Sequence, residues 1–394
     1  MAVGRASQRG WFGRAVALTG AALLAACSTV VPRAPAPAPA APPAPVERAP
    51  EVEAGIPRDT ARNRVALLAP LTGPNAGVGQ SIANATMLAL LDTGATQVRI
   101  TNYDTAGGAA AAARRAIDEG AQLILGPLLA EDARQVAPIA RAAGVPVLSF
   151  SNDTTVAGNG TYLMGYVPAQ SVARVVGFAR SRGVTSFAGL VPNGLYGERT
   201  STAFLRAVEA EGGQVVSLQT YQRAPGAIVQ AAARVAAKAP YGAVLVADGG
   251  AAAAAAAPAL KRGSAGARLL GTELWNSEAG VAARPALSGA WFASVSDGLY
   301  RQFATKYRGR FGANPYRLAS LGYDAVLLTV RIARDWPVGR PFPEARLRDA
   351  DGFAGLDGAF RFGRDGVAER ALEVQEIRGG TTVVVSPAPS GFGK

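Results

Sequence analysis

The sequence predicts an α/β fold in which helices cover both faces of parallel sheets. From residue 63 onward, short continuous apolar runs alternate with alanine-rich stretches of helical character. Continuous apolar runs are typical of strands buried on both faces, and an intervening helix lets consecutive strands run parallel. About 330 residues lie beyond residue 62, which is enough chain for two lobes.

Residues 1–26 are predicted to be a signal peptide. They hold three arginines and no acid, and they contain the apolar run AVALTGAALLAA. A basic start followed by a short apolar run is typical of secretory signals, and this run is too short to span a bilayer as a helix. Leu24-Ala25-Ala26-Cys27 then resembles the lipobox of bacterial lipoproteins. This resemblance implies acylation of Cys27, which would anchor the chain to a membrane through several acyl chains.

Residues 27–62 are predicted to be a tether. Residues 31–57 are rich in proline and alanine, with too little hydrophobic bulk for a core. Such a segment stays extended as polyproline II, at ~3.1 Å per residue, and holds the next domain away from the membrane. Ser28 follows the cysteine. If Gram-negative sorting rules apply, this non-acidic residue favours the outer membrane, so we expect a periplasm-facing lipoprotein of the cell envelope.

The elements of the main domain follow in order. Seven apolar runs are the strand candidates: RVALLAPL, TQVRITNYD, AQLILGPL, GVPVLSF, TSFAGLVP, YGAVLVADGG and ARLLGTEL. The helix candidates between them are SIANATMLALLDTG, AAAARRAIDEG, AEDARQVAPIARAAG and ERTSTAFLRAVEAEGG. The alanine run at residues 251–257 is also predicted to be helical. Phe303, Tyr307 and Phe311 recur every four residues, which predicts a buried helical face, with a docking surface for an acidic partner as the alternative. Asp365-Gly366 indicates a hairpin turn.

Composition excludes several functions. The formal charge is +12, of which the signal peptide carries three, but the arginines are scattered and give no nucleic-acid-binding stripe. The chain has no histidine and one cysteine, so it lacks a Ser-His-Asp triad, histidine metal ligands, an internal disulfide and, once Cys27 is acylated, a thiol nucleophile. GPNAGVGQSI has Ile82 where a dinucleotide fingerprint needs a small residue. We expect no enzyme, cofactor or metal.

Four polar loops follow predicted strands, where doubly wound sheets bind their ligands. The candidate ligand-binding residues in these loops are Ser149, Ser151, Asn152, Thr154, Tyr196, Asp248 and Glu273. Hydroxyls and backbone amides near helix starts suit a carboxylate, and either acid suits an ammonium group. For each loop taken alone, helix capping and turn formation remain the alternative.

Five segments resemble, in order, the type I periplasmic binding proteins of the leucine/isoleucine/valine-binding kind. They are LLAPLTGPNAGVGQSIANATMLAL, GAQLILGPLLAEDARQVAPIARAAGVPVLSFSND, LVPNGLYGERTSTAFLRAVEAEGGQVV, LASLGYDAVLLTV and FRFGRDG. The resemblance implies two Rossmann-like lobes, joined by three crossovers, that close on a ligand by a hinge motion. Within residues 63–394 we expect the first lobe at about 63–166 and 298–335, and the second at about 167–297 and 336–390.

The resemblance also implies roles for single residues. The loop from Ser149 to Thr154 matches the one that contacts the ligand carboxylate, Tyr196 matches an aromatic beside the ligand, and Glu273 matches an acid for the ammonium group. The sequence departs from the family where Leu128 or Leu129 replaces an expected hydroxyl and Phe150 replaces a small residue.

A narrower resemblance concerns function. The lipobox, the tether and the segments VPVLSFSND, LLGTELWN, GAWFAS and GFAGLDGAFRF look like penicillin-binding protein activators. This implies a noncatalytic regulator of peptidoglycan synthesis whose partner is a peptidoglycan synthase. The alternative is the solute-binding subunit of a branched-chain-type amino-acid ABC transporter, whose partner is a permease and whose ligand is a small amino acid. Trp275, Trp291 and Phe292 are predicted to be core residues rather than interface anchors.

Overall fold

The structure, a computed structural model, describes residues 61–278 and 280–392. The predicted signal peptide, Cys27 and nearly all of the tether lie outside the described residues. Among the described helices, none combines the length and the apolarity needed to cross a bilayer.

The first lobe begins with a five-stranded parallel sheet. Its elements are β1 (Asn63–Ala69), α1 (Ala76–Thr93), β2 (Val98–Asp104), α2 (Ala109–Asp118), β3 (Leu123–Leu125), α3 (Ala130–Ala142), β4 (Val147–Ser149) and β5 (Thr161–Leu163). The strand order is β2-β1-β3-β4-β5, and every neighbouring pair is parallel. Strand β1 has six buried residues of seven, as its continuous apolar run predicts.

The second lobe contains a seven-stranded sheet. Its first elements are α4 (Pro168–Ser181), β6 (Ser186–Pro192), α5 (Leu195–Ala210), β7 (Gln214–Tyr221), α6 (Ala227–Ala236), β8 (Ala243–Val246), α7 (Gly250–Gly263), β9 (Arg268–Gly271) and β10 (Trp291–Ser294). The polyalanine run lies inside α7, as expected. Trp275, Trp291 and Phe292 are buried, which confirms that they belong to the core.

The chain then returns to the first lobe. The elements of this return are α8 (Gly298–Phe311), α9 (Ala319–Ala333), β11 (Phe353–Gly355), β12 (Gly358–Phe362) and β13 (Ala368–Arg370). Helix α9 packs along α1, and Phe303 and Tyr307 of α8 are buried in the first lobe's core, with Phe311 partly buried against it. The predicted aromatic face of α8 is therefore a core face.

The first lobe extends beyond about residue 335, where we expected its second segment to end. Trp336 and Phe360 are buried in the first lobe's core, Asn63 donates from Nδ2 to the backbone oxygen of Trp336 at 2.9 Å, and Val367 forms a bridge with Leu163 of β5. Only β14 (Glu373–Arg378) and β15 (Thr381–Ser386) rejoin the second lobe, as antiparallel strands on its sheet. The third crossover therefore lies at residues 371–373.

The two completed sheets confirm the expected architecture of two lobes with three crossovers. The second sheet has the order β15-β14-β10-β9-β8-β6-β7, and β11-β12-β13 form a small antiparallel sheet on the first lobe. The crossovers lie before α4, before α8 and before β14. The predicted hairpin turn joins β12 to β13, where Gly366 has a φ of +79° that favours glycine.

We predict opposite effects of one substitution at two helical glycines of the first lobe. A Cβ on Gly322 of α9 would lie 2.9 Å from the backbone oxygen of Ile82 and from Oγ1 of Thr86 in α1, whereas one on Gly309 of α8 meets no atom within 4 Å. Gly322→Ala should lower the free energy of unfolding by about 1–3 kcal/mol through overpacking. Gly309→Ala should raise it by up to about 1 kcal/mol. Urea unfolding measures both, and equal effects would contradict the close packing of α1 on α9.

Candidate ligand-binding cleft

A cleft of about 540 Å³ lies between the two lobes. This volume is in the range of small-molecule sites. Its lining residues are Asn75, Val78, Leu128, Leu129, Ala130, Phe150, Ser151, Asn152, Tyr166, Glu273, Leu274, Ser277, Tyr316, Arg317 and Leu318. Most of them follow β1, β3, β4 and β9, so the cleft lies at the carboxyl ends of parallel strands, where ligands bind in this class of fold.

The first lobe gives the cleft an apolar wall. Val78, Leu128, Leu129 and Phe150 all contribute to it. These positions include Leu128 or Leu129, where the resemblance implies a hydroxyl, and Phe150, where it implies a small residue. Both departures make this wall of the cleft more apolar.

In the loop after β4, some side chains form hydrogen bonds that hold the loop's shape, and some line the cleft. The Ser149 hydroxyl is buried, donates to the Pro127 carbonyl at 2.9 Å and accepts the Ser151 backbone N–H at 3.2 Å. The Ser151 hydroxyl accepts the Asp153 backbone N–H at 3.1 Å. Ser151 and Asn152 line the cleft, whereas Thr154 lines only a neighbouring groove beside α4 and α5, which Asn152 also borders. The serine hydroxyls thus shape this loop, and Ser149 does not line the cleft.

Glu273 lies in the cleft after β9. Its carboxylate accepts hydrogen bonds from the hydroxyls of Ser171 and, at 3.1 Å, Tyr196, and the Tyr196 hydroxyl also lies 2.9 Å from Oγ1 of Thr272. Tyr196 acts through this hydrogen bond and does not line the cleft itself. No cationic side chain of the described residues forms an ion pair with Glu273. Burial raises the pKa of Glu273 above its ordinary value, against the opposing effect of the two hydroxyls.

Asp248, which we expected to face a ligand, does not line the cleft. Its carboxylate accepts from Nε of Arg223 at 3.0 Å, from the Tyr221 hydroxyl at 2.6 Å and from the Gly249 N–H at 2.9 Å. Burial alone raises the pKa of Asp248, but these hydrogen bonds hold it below its ordinary value. The carboxylate is neutralised within its own lobe, which leaves Glu273 as the acid of the cleft.

A buried polar network joins the cleft to the hinge between the lobes. Nη1 of Arg317 donates to Asp357 at 2.6 Å and to the Ser320 hydroxyl at 3.0 Å. The Tyr166 hydroxyl donates to Asp357 at 2.5 Å, and the guanidinium of Arg317 lies 3.9 Å from the ring centroid of Tyr300. Tyr166 lies at the first crossover and Tyr300 just beyond the second, so one guanidinium contacts both.

Asp324 of α9 lies beside this network. Its Oδ1 accepts the Leu356 backbone N–H at 2.6 Å, and its Oδ2 has no hydrogen-bond partner among the described residues. Burial and the neighbouring Asp357 raise the pKa of Asp324 to about 7, while Arg370 opposes the shift. The carboxyl group therefore holds its proton in the folded state over much of the acidic range.

A second ionic contact joins the lobes. Asp153, in the loop after β4, is buried and pairs with Arg134 of α3 in the first lobe and with Arg199 of α5 in the second. Sequence reasoning missed Asp153, Arg317, Asp324 and Asp357. Asp324 had a usable signal, because a single acid within the apolar run of LASLGYDAVLLTV indicates a buried carboxyl group.

Residues 63–381 match a protein-family model described as periplasmic binding protein. A protein from Rhodospirillum rubrum, provisionally described as a branched-chain amino acid ABC transporter, is 24% identical, with a TM-score of 0.74 over 82% of this chain and all (100%) of its own. The substrate-binding protein LivJ of a Streptococcus pneumoniae branched-chain amino acid transporter, in complex with isoleucine, is 16% identical, with a TM-score of 0.60 over 83% of this chain and 100% of its own.

An ABC-transporter solute-binding protein from R. palustris, in complex with benzoate, is 20% identical, with a TM-score of 0.61 over 84% of this chain and 98% of its own. At these identities the structural likenesses establish the fold alone. An uncharacterised protein from Rickettsia prowazekii is 23% identical over 169 residues, or 42% of this chain and 45% of that protein. The match to this relative therefore spans less than half of its length.

We predict that Asp324→Asn changes how stability depends on pH. Because the folded state holds the Asp324 proton more tightly than the unfolded state, this group stabilises the fold below about pH 4, and the contribution is lost as pH rises through about 7. In the asparagine variant, the free energy of unfolding should not show this decline with rising pH. Urea unfolding at a series of pH values from 4 to 8 would measure it. Asp335→Asn, an exposed carboxyl group of the same lobe, is the matched control. An unchanged profile in Asp324→Asn would contradict the raised pKa.

Proposed function

The chain belongs to the periplasmic binding protein family, and from this premise we propose that it is a solute-binding protein that captures an amino acid with an apolar side chain. Proteins of this family bind solutes and are not enzymes. The observation that carries the proposal is Glu273, a carboxylate in the cleft that forms no ion pair with any described side chain. It faces an apolar wall across a cavity of suitable volume.

Glu273 is suited to receive an ammonium group. Ser171 and Tyr196 occupy part of its hydrogen-bonding capacity and fix its position, while a carboxylate has about four lone-pair sites in all. A partly desolvated carboxylate that lacks a counter-charge is costly, and a ligand cation removes that cost. Charge-assisted hydrogen bonds to such a group are among the stronger polar interactions.

The wall of Val78, Leu128, Leu129 and Phe150 favours an apolar ligand side chain. Burying such a side chain contributes about 1.5–3 kcal/mol. Two of the structural neighbours, which share the fold, are named for branched-chain amino acid transport, and the proposal takes its choice of ligand class from them. We further propose that a permease of an ABC transporter is the partner, and that lipidated Cys27 holds the protein in the cell envelope.

Regulation of a peptidoglycan synthase is the second candidate function. The leucine at 128 or 129, where the resemblance implies a hydroxyl, favours it because this leucine weakens polar recognition of a free amino acid. The tether and the predicted lipobox would let an outer-membrane protein contact a synthase. The two functions differ in their partner and in whether the cleft needs a free amino acid.

Binding of apolar amino acids is the first test. We expect leucine, isoleucine or valine to stabilise the purified protein by about 2.7 kcal/mol at a concentration one hundred times the Kd, visible as a rise in Tm. Charged amino acids should give no such rise. If no amino acid binds and the protein instead stimulates glycan-chain synthesis by a peptidoglycan synthase, the regulatory function replaces the transport function.

Glu273→Gln tests the proposed ammonium contact. We expect the affinity for the best amino acid to fall about tenfold to a hundredfold, because a charged hydrogen bond contributes about 1.5–3 kcal/mol. Glu209→Gln, on an exposed position of α5, is the matched control and should bind like the wild type. Isothermal titration calorimetry measures both. Equal affinities of the two variants would show that Glu273 does not contact the ligand cation.

A further inference from the structure

A small cavity lies at the hinge, next to the cleft. Its volume is about 20 Å³, which is room for one oxygen-sized group. All three crossovers border it: Tyr166 and Val167 from the first, Ser294 and Val295 beside the second, and Arg370 and Leu372 beside the third. The cavity and the cleft share Tyr166, Glu273, Ser277 and Arg317, so the two adjoin.

Two buried arginines that line this cavity have N–H groups that lack acceptors. Arg317 is 9% exposed and Arg370 is 8% exposed. Nε and Nη2 of Arg317, and Nε and Nη1 of Arg370, form no hydrogen bond among the described residues. The carboxylate oxygen Oδ1 of Asp297 lies 3.7 Å from Nη2 of Arg317, beyond hydrogen-bond distance. Buried donors without acceptors carry a free-energy penalty, so these four groups need an explanation.

Two guanidinium groups and the Glu273 carboxylate line the cavity, so it offers donors to an anion beside an acceptor for a cation. Asp357 pairs with Nη1 of Arg317 and is buried, while Nη2 of Arg370 donates to the Met164 backbone oxygen at 2.5 Å, which is a neutral partner. Burial alone raises the pKa of Asp357, but Arg317 and Arg370 hold it below its ordinary value. Asp357 thus interacts with both guanidinium groups, Asp297 forms a longer ion pair with Arg317 at 3.7 Å, and Asp324 beside Asp357 retains its proton over much of the acidic range.

We propose that the ligand carboxylate binds at this hinge cavity, on the unpartnered N–H groups of Arg317 and Arg370. One carboxylate oxygen enters the cavity, Glu273 at its border receives the ammonium group, and the apolar side chain lies along the wall of the cleft. Guanidinium groups recognise carboxylates with high geometric specificity. This inference rests on the proposed function, and it transfers carboxylate recognition from the loop after β4, where Ser149 and Ser151 already bond within the loop, to the hinge.

The test compares the binding of two ligands, leucine and leucinamide, to two proteins, the wild type and Arg370→Gln. Leucine and leucinamide share the ammonium group and the side chain, but only leucine has the carboxylate. We expect wild-type protein to prefer leucine by about tenfold to a hundredfold, and Arg370→Gln to reduce this preference at least about fivefold while leaving the affinity for leucinamide unchanged. Calorimetry with purified full-length protein gives all four Kd values.

Controls separate recognition from folding. Arg361→Gln, on the partly exposed neighbouring strand β12, should keep the wild-type preference. If Arg370→Gln does not fold, as judged by circular dichroism, Arg370→Lys keeps the charge but loses the fork of donors, and a smaller loss of preference is expected. If the Arg370 variant weakens leucine and leucinamide equally, the arginine is structural and the inference is overturned.

Different binding results contradict the hinge site and the proposed capture of an amino acid. Amino-acid binding with an unchanged leucine preference in Arg370→Gln overturns only the hinge site. If the wild type binds no amino acid, the proposed function fails, and benzoate and isovalerate then probe the hinge site as carboxylates without an ammonium group. Binding of either that Arg370→Gln weakens supports the hinge site alone. Absence of all carboxylate binding overturns both.

Discussion

The buried guanidinium of Arg317 is the constraint on which the arrangement of the lobes depends. It pairs with Asp357, bonds the Ser320 hydroxyl and stacks on Tyr300, while Tyr166 bonds the same aspartate. These contacts join the first two crossovers to α9, through Ser320, and to the turn between β11 and β12, through Asp357. Removing one partner of a buried ion pair leaves an uncompensated charge and typically costs about 3–5 kcal/mol. The hinge is therefore a defined polar structure rather than a set of loose connections.

The position of the cleft follows from that hinge and from the parallel sheets. Strands β1, β3 and β4 end at one face of the first lobe, and β9 brings Glu273 to the facing side of the second. Asp153 adds a contact between the lobes through Arg134 and Arg199. The Asp153–Arg199 pair is thus a contact between the lobes outside the Arg317 network. A ligand that contacts both lobes would add to such contacts, as in hinge-closing proteins generally.

More of the fold than of the ligand site could be predicted from the sequence. Buried strands such as β1 and β8 are continuous apolar runs and were predictable, whereas the apolar residues between Trp336 and Phe360 are irregularly spaced, and only tertiary packing decides which lobe buries them. Glu273 was a candidate from its position after a predicted strand, and the resemblance distinguished it as the acid for the ammonium group. Asp248 also ends a strand, but Arg223, 25 residues earlier, neutralises it, and no sequence pattern indicates that pairing. Arg317 and Arg370 gave no signal because isolated arginines are common throughout this chain.

Glu273 and Arg317 carry opposite charges that the protein does not pair with each other. Glu273 borders both spaces, and so does Arg317, yet no ion pair joins them within the described part of the chain. Leaving a carboxylate without a counter-charge and several guanidinium N–H groups without acceptors lowers the stability of the fold, and proteins retain such conflicts mainly where function requires them. A zwitterion complements both groups at once, whereas a simple anion or cation would satisfy only one. On the proposed function, the same separation of charge also gives specificity, because an analogue that lacks either charge leaves one buried group without a partner.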